Sequence, residues 1–416
     1  MKVVGFITEY NPFHYGHKYH LEKAKEITNA THTIAVMSGS FVQRGEPSFV
    51  DKWTKAKMAV DNGVDLVIEL PFLYSVQSAE LFAFGGVSIL NALDAVDYIA
   101  FGVEDENLEV LLEIAEILTK EPIEFKNTLK EHLNQGLSYS ASRSSALESY
   151  IKSRKPDSTI SYSSILKKSN NILAIEYLKS LIKLNSNVKP AIIRRQGDNY
   201  NDVKIISSIA SATGIRNTLL EKKDLIKVKD YLPEASYMHL TSFYNNYQKF
   251  NYLSNYNSII QYMLRTVEIN YLREIMDMEI GLENRILNLS KEFYDIELLV
   301  EAVKTKRYPS TRIKRIMIHL LNDLKEETVN KIYNNPIEYV RVLGSNKKGL
   351  EILNHIKSNT NLSIITKFAD YEKINNDKIK EMLNYEKKAT DIYFLGIENN
   401  KPLLKMDYLT SPYIRN

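Results

Sequence analysis

The chain has 416 residues, a formal net charge of +3 and no cysteine. This length exceeds the usual size of a single hydrophobic core and predicts two domains, and the absence of cysteine excludes disulfides and thiolate chemistry. The net charge is too small to indicate nucleic-acid binding unless basic residues cluster locally. No run of about 18 uncharged apolar residues occurs, and the apolar run at the N-terminus is shorter than a signal-peptide core, so we expect a cytoplasmic protein without a membrane segment.

Apolar runs and helical stretches alternate over the first quarter of the chain. Strand-like runs occupy 2–7, 32–37, 64–70 and 96–102, and helical stretches occupy 19–29, 53–62 and 77–93. The apolar runs are continuous rather than alternating, which is typical of parallel strands covered on both faces. The pattern predicts an α/β fold with a Rossmann-like, doubly wound parallel sheet, whose site lies at the carboxyl ends of the strands.

The second half of the chain follows a different pattern. A further strand is predicted at 188–194, and 211–222 is typical of the start of a capped helix. Beyond about residue 225 the sequence is helical and rich in tyrosine and lysine, with strand-like pieces at 362–368 and 391–397. We therefore predict a first domain over 1–228 and a mostly helical, basic second domain over 229–416.

Three histidines follow the first predicted strand at intervals of three residues: His14, His17 and His20. Gly16 allows close approach of a ligand, and the free amides at the start of the next helix favour an anion. His14 and His17 could then donate to phosphate oxygens, whereas His20, one turn deeper, is expected to pack. A zinc site and a helix start without any ligand are the alternatives, and zinc is disfavoured because the other histidines are scattered.

The four residues His14-Tyr15-Gly16-His17 resemble the His-x-Gly-His signature of the class I nucleotidyltransferase superfamily, whose members bind ATP and release pyrophosphate. A second signature of that superfamily opens a late helix that grips the β- and γ-phosphates, and it resembles ASATGIR at 210–216. Ser211, Thr213 and Arg216 match it, while Ala210 and Ala212 depart from it. The two motifs together indicate this superfamily more strongly than either motif alone.

A wider resemblance narrows the family. The chain resembles the tRNA(Met) cytidine acetate ligases in six segments: GFITEYNPFHYGHKYHL, SGSFVQRGEPSFVDKW, NGVDLVIELPFLYSVQSAELFAFGGV, FGVED, SNNILAIEYLK and KRYPSTRIKRIMIHLL. The resemblance implies that ATP and acetate form acetyl-adenylate and pyrophosphate. The acetyl group then passes to the exocyclic amine of the wobble cytidine of elongator tRNA(Met). The alternatives are an adenylyltransferase for a small phosphorylated metabolite and an RNA-binding module with a vestigial nucleotide pocket.

The resemblance also implies a set of site residues. His14 and His17 are the catalytic pair. The ATP-binding residues it implies are Ile7, Thr8, Glu9, Tyr10, Asn11, Pro12, Phe13, His14, Tyr15, Gly16, His17, Lys18, Tyr19, His20, Gly102, Asn170, Asn171, Arg195, Ser211, Thr213 and Arg216. Asn170 is preferred over Asn171, and Arg195 over Arg194. Mg²⁺ is expected with ATP, with Glu69, Glu80 and Glu104 as possible ligands or neighbours of it, and no protein metal site is assigned.

Two further segments are expected near the substrates. Gln43, Arg44, Glu46, Asp51 and Lys52 follow the second strand and could line the acetate or tRNA side, or form a solvated loop. The segment 303–315 carries a run of cations without an acid, which suits RNA phosphates unless it is only a solvated helix face. The RNA-binding residues predicted from it are Lys306, Arg307, Arg312, Lys314 and Arg315. The oligomeric state is left open.

Overall fold

A computed structural model describes residues 1–195, 210–222, 224–333, 337–397 and 402–416. The strands are β1 Val3–Thr8, β2 His32–Ser38, β3 Phe41–Val42, β4 Glu46–Pro47, β5 Leu66–Leu70, β6 Tyr98–Val103, β7 Lys189–Arg194, β8 Tyr339–Ser345, β9 Ser363–Ile365 and β10 Tyr413–Ile414. Among these described residues, no helix combines the length and the apolar composition that crossing a lipid bilayer requires.

Helices surround these strands. The α-helices of the first half are α1 Tyr15–Thr28, α2 Lys52–Asp61, α3 Phe72–Ser75, α4 Ala79–Ala92, α5 Leu108–Lys120, α6 Ile123–Asn134, α7 Tyr139–Arg154, α8 Tyr162–Ile165, α9 Ser169–Lys183 and α10 Ala212–Lys222. Those of the second half are α11 Glu234–Tyr247, α12 Asn257–Thr266, α13 Ile269–Glu274, α14 Leu282–Leu289, α15 Ile296–Val303, α16 Ser310–Leu321, α17 Glu326–Tyr333, α18 Lys347–Asn359, α19 Asp377–Leu395 and α20 Met406–Leu409. Short 3₁₀ helices occupy Leu225–Tyr231, Leu253–Tyr256 and Phe368–Lys373.

One sheet organises the described part of the chain. Its strand order is β10-β8-β5-β2-β1-β6-β7, with β9 pairing beside β8. The five strands β5, β2, β1, β6 and β7 are mutually parallel, as the continuous apolar runs predicted. β8 is antiparallel to its neighbour β5, and β9 and β10 are parallel to β8. The strand order reverses at the β1–β6 pair, where Val4 faces Tyr98. The predicted fold class is confirmed, and such a switch point opens a crevice at the carboxyl ends of the two strands.

The C-terminal half contributes strands to this same sheet. β8 pairs with β5 and β10 pairs with β8, so the sheet takes strands from both sides of the predicted boundary at residue 228. The division into two domains stays a prediction. β8 had not been expected as a strand, because its place in the sheet depends on a partner about 275 residues earlier rather than on a local pattern.

The strand-like piece at 391–397 was predicted wrongly. Most of it forms the end of α19, which begins at Asp377 and is capped by the side chain of Asn376. Tyr393 and Phe394 are fully buried there. Helical packing of these two aromatic rings overrides their preference for strands. The piece at 362–368 does contain a strand, β9.

A buried ion cluster joins the two halves of the chain. Nζ of Lys52 lies 2.8 Å from a carboxylate oxygen of Glu69 and 2.8 Å from one of Asp407. Arg341 contacts the same two carboxylates at 2.9 and 2.6 Å. Each of these four side chains is 5% exposed or less. Since unpaired charges are costly in the interior, this cluster ties α2 and β5 to β8 and α20.

Candidate active site

A cavity of about 220 Å³ opens at the switch point between β1 and β6. Most of the residues predicted to bind ATP line it: Ile7, Thr8, Glu9, Tyr10, Asn11, His14, Gly16, His17, Tyr19, His20, Gly102, Asn170, Arg195, Ser211, Thr213 and Arg216. The predicted residues outside its described wall are Pro12, Phe13, Tyr15, Lys18 and Asn171. Phe13 is fully buried against Tyr10, and Tyr15 is turned towards solvent.

The loop after β1 is held rigidly against its surroundings. The side-chain oxygen of Asn11 accepts a hydrogen bond from the amide of Phe49 at 2.7 Å. Lys55, fully buried in α2, donates to the carbonyl oxygens of Glu9, Ser38 and Gly39. These bonds pin the carboxyl ends of β1 and β2 together, and burial lowers the pKa of Lys55 to about 7. The loop is therefore preorganised before any ligand arrives.

His14 and His17 form a capping box at the start of α1. Nδ1 of His14 accepts from the amide of Gly16 at 3.0 Å, and Nδ1 of His17 accepts from the amide of His14 at 3.3 Å. A neutral imidazole carries its proton on one nitrogen only, so both rings are fixed as the tautomer protonated at Nε2. Because both rings line the cavity and Nδ1 of each accepts a capping bond, Nε2–H is the donor that each ring has left for a ligand.

Electrostatics keep this pair neutral. Burial, reinforced by the charges of Arg195 and Arg216, lowers the pKa of His14 to about 3. Burial, with His14 and Arg195 as neighbours, also lowers the pKa of His17 well below its ordinary value. The cavity thus combines two neutral histidines with the guanidinium groups of several arginines, a combination that suits a polyphosphate rather than a metal ion.

The second predicted motif meets the first across this cavity. Ser211 accepts from the amide of Gly214 at 3.0 Å and so caps the first turn of α10. Arg216 donates from Nη1 to the carbonyl oxygen of Asn11 at 2.9 Å, and its Nη2 reaches Thr213 at 3.5 Å. Two segments about 200 residues apart in the chain therefore line one cavity, to which the second contributes a helix start and a guanidinium.

The other end of the cavity is formed by β6, α9 and the end of β7. Arg195 donates to the side-chain oxygen of Asn170 at 3.1 Å, and a methyl group on Gly102 would lie only 3.2 Å from Cγ of Arg195. Asn171 lies behind this wall, where its side-chain oxygen accepts the amide of Glu104 at 3.0 Å. Of the paired alternatives, the structure brings Asn170 and Arg195 to the cavity together. Arg194 also lines it, with a largely exposed side chain.

Comparisons with known proteins agree with this geometry. The family model described as HIGH Nucleotidyl Transferase matches residues 1–406. The tRNA(Met) cytidine acetate ligase of Thermoanaerobacter sp. (strain X514) is 42% identical over 98% of this chain and 100% of its own length, and that of Clostridium perfringens (strain ATCC 13124) is 41% identical over 100% of both. The chain belongs to the tRNA(Met) cytidine acetate ligase family. The predicted family is confirmed.

Two solved structures extend the comparison. The apo crystal structure of Thermotoga maritima TmcAL superposes with a TM-score of 0.94 at 34% identity, covering 100% of this chain and 99% of that one. The structure of the same protein bound with alpha-thio ATP gives a TM-score of 0.92 at 33% identity with the same coverage. The fold around the cavity is thus one in which a relative holds an ATP analogue.

The acids predicted near Mg²⁺ are engaged elsewhere. Glu104 accepts from the amides of Asn170 and Asn171 with its two carboxylate oxygens, at 3.3 and 2.9 Å. Glu80 pairs with two lysines of α9, and Glu69 belongs to the buried ion cluster. Within the described ranges, no group of three His, Asp or Glu side chains could hold a metal ion. Glu69, Glu80 and Glu104 therefore do not form a magnesium site built from protein side chains.

The loop between β2 and α2 divides between the cavity and the interior. Gln43 and Arg44 line the cavity. Asp51 instead caps α2, accepting from the amide of Thr54 at 2.8 Å, and Lys52 lies in the ion cluster. The predicted place of Asp51 and Lys52 on the substrate side is therefore wrong, because their charged ends point into the protein.

The basic segment 303–315 is neutralised by acids from other parts of the chain. Arg307 and Arg312 both pair with Glu279, and Arg315, largely buried, pairs with Asp277 at 2.5 Å. Lys314 lies between two carboxylates from other elements. Lys306 and Arg307 are the exposed members of the predicted set. Their role in RNA binding stays a prediction.

Several cavity residues were not predicted from the sequence. Leu173 and Tyr177 lie on α9 one and two turns after Asn170, and Phe82 lies in the first turn of α4. The spacing of three and four residues between Asn170, Leu173 and Tyr177 places them on one helix face, which was the available signal. Lys55, which holds the loop after β1 from behind the cavity, was also missed, because nothing in the sequence KWTKAKMAVD of α2 separates this lysine from the two others.

Proposed function

We propose that this protein is an ATP-dependent ligase that acetylates the wobble cytidine of elongator tRNA(Met). The observation that carries the proposal is the meeting of the two motifs in one cavity, which is lined by His14 and His17 of the first motif and by Ser211, Thr213 and Arg216 of the second. A relative with the same fold binds an ATP analogue. Curated relatives at about 40% identity over the full length carry the name of this activity.

In the first step, a carboxylate oxygen of acetate attacks the α-phosphorus of ATP. The bond from that phosphorus to the bridging oxygen breaks, and pyrophosphate leaves with the electron pair. His14 and His17 donate to the phosphate oxygens on which charge builds up, and Arg216 with the start of α10 holds the leaving pyrophosphate. Gly102, Asn170 and Arg195 hold the adenosine end.

In the second step, the exocyclic nitrogen of the cytidine attacks the carbonyl carbon of acetyl-adenylate. The carbon–oxygen bond to the phosphate breaks, AMP leaves and the nitrogen loses one proton, which gives N4-acetylcytidine. Gln43 and Arg44 lie on the side of the cavity proposed for acetate and the tRNA end. A cytoplasmic location suits a tRNA substrate, and Mg²⁺, expected with ATP, would be carried by the phosphates.

The proposal is tested by exchange of radiolabelled pyrophosphate into ATP. We expect exchange that depends on acetate and needs no tRNA, followed by N4-acetylcytidine in elongator tRNA(Met), measured by mass spectrometry of nucleosides, once tRNA is added. Exchange that depends on a phosphorylated metabolite instead of acetate would favour an adenylyltransferase. Tight tRNA binding with no exchange under any acid would favour an RNA-binding module.

A further inference from the structure

Glu46 connects the cavity to the C-terminal half of the chain. One of its carboxylate oxygens, Oε2, lies 3.4 Å from Nη2 of Arg216, and the other, Oε1, accepts from Nζ of Lys314 at 2.9 Å. Lys314 in α16 is in turn held by Glu297 of α15, also at 2.9 Å. A chain of alternating charges therefore runs from the phosphate side of the cavity to two helices of the second half.

The backbone fixes this arrangement as firmly as the charges do. Glu46 begins β4, and Val42 of β3 pairs with it in a tight hairpin. Gly45, at the turn, has a φ of +79°, and a methyl group on it would come within 2.5 Å of the backbone of Lys314 and Arg315. Only glycine allows this contact, so the hairpin is pressed against α16 and Glu46 has little freedom to move.

The ionisation of the three groups matches their contacts. Burial would raise the pKa of Glu46, but Arg216 and Lys314 outweigh it and lower the pKa below its ordinary value. Burial would lower the pKa of Lys314, but Glu46 and Glu297 raise it. The side chains of Arg216 and Lys314 are 18% and 17% exposed and that of Glu46 is 28% exposed. The three groups stay charged at neutral pH and are only partly screened by solvent.

We propose that Glu46 is a positioning residue for Arg216 and that Lys314 holds Glu46 in place, so that α16 completes the phosphate side of the cavity. This rests on the proposed function, in which Arg216 contacts the departing pyrophosphate. Three contacts, with Asn11, Thr213 and Glu46, use three of the five N–H donors of Arg216 and set the plane of its guanidinium. Lys314 is thereby reassigned from RNA contact to the adenylation step.

The expected kinetic signature follows from electrostatics. Removing the negative charge of Glu46 leaves the cavity more positive, so ATP binding in the ground state is not weakened. Removing the fixed orientation of Arg216 reduces its stabilisation of charge in the transition state, which depends on preorganisation. The loss should therefore fall on kcat, with KM for ATP unchanged or lower. Substitution of a residue that only supported the fold would change neither kcat nor KM of the molecules that remain folded.

The test compares full-length variants in acetate-dependent pyrophosphate exchange without tRNA. For E46Q, which preserves shape, and for K314M we expect kcat to fall about tenfold, the scale of one lost charge-assisted bond. KM for ATP should be unchanged or lower in E46Q, whereas K314M removes a positive charge and should not lower it. E46D should recover part of kcat. K331M, which removes an exposed lysine from an ion pair with Glu327, serves as the matched control and should behave as wild type.

The outcomes separate this inference from the proposed function. Exchange by wild type together with an unchanged or raised kcat in E46Q overturns the positioning role alone, as does a K314M defect that appears only when tRNA is present. No exchange by wild type overturns the proposed function and the inference with it. Thermal unfolding of each variant, measured alongside, confirms that kcat refers to folded protein.

Discussion

Replacement of His14 separates its structural role from its chemical one. Its imidazole does two things at once, because Nδ1 caps α1 through the amide of Gly16 and Nε2–H faces the cavity. His14→Asn keeps a good capping side chain and removes the donor at the Nε2 position, whereas His14→Ala removes both. The two variants should therefore differ in stability and agree in activity.

The loss of stability and the loss of kcat are each large enough to be measured separately. Loss of an N-cap costs about 1 kcal/mol, which lowers the midpoint of thermal unfolding by roughly 2 °C, so only His14→Ala should show this shift. Loss of one preorganised donor to charge that develops in the transition state lowers kcat by about 100- to 1,000-fold. Both variants should show that loss.

Acetate-dependent pyrophosphate exchange and thermal unfolding, measured on the same preparations, decide the matter. His17→Gln is the companion variant, since glutamine at the third helical position also reaches back to the capping amide, and we expect it to unfold like wild type with a similar loss of kcat. If His14→Asn exchanged pyrophosphate at the wild-type rate, the reasoning would be refuted, because capping of α1 would then be the only role of the imidazole.

Three further substitutions probe other parts of the structure. Gly102→Ala places a methyl group 3.2 Å from Cγ of Arg195, so KM for ATP should rise about tenfold with little change in kcat, and an unchanged KM would argue against Arg195 as a nucleotide contact. Lys52→Met leaves buried carboxylates short of a cation, so urea unfolding should show a loss of about 3 kcal/mol; a loss typical of exposed pairs, below about 1 kcal/mol, would contradict the buried cluster. His20→Leu removes a ring whose pKa is lowered to about 4 by burial and by the charge of Arg195. The unfolded chain binds this proton below about pH 6.5, whereas the folded chain binds it only below about pH 4. As the pH falls through this window, the free energy of unfolding of wild type should therefore decrease by about 1.4 kcal/mol per pH unit more than that of the variant. Parallel profiles of stability against pH would count against the shift.

The sequence predicted the parts of the site that depend on local pattern. The apolar run of β1, the glycine of the His-x-Gly-His motif and the capping residues before α1 all lie within about 20 residues, and the strand, loop and helix follow directly from them. The doubly wound parallel arrangement also followed, because continuous apolar runs separated by helices leave few ways to build a parallel sheet. The family resemblance preferred Asn170 to Asn171, and of the two only Asn170 lines the cavity.

The surroundings of a charged side chain depend on partners distant in the chain, which the sequence does not show. The segment 303–315 contains no acid, yet its cations meet carboxylates from other elements, as in the pairs of Arg312 with Glu279, 33 residues away, and of Lys314 with Glu46, 268 residues away. Lys52 likewise follows a loop that was predicted to line the substrate side, but its ammonium group is buried in ion pairs with Glu69 and Asp407. A charge in the sequence does not reveal whether solvent or an opposite charge surrounds it.

The sequence by itself determined the parallel strands, the two motifs that line the cavity and the family of this protein, because each is encoded in short stretches of residues. Only the tertiary structure decided which nitrogen of His14 and of His17 accepts a capping bond, which cations form ion pairs, and that Glu46 joins Arg216 to α16. Those features arise where segments far apart in the chain are brought into contact, and burial there fixes protonation, orientation and pairing together.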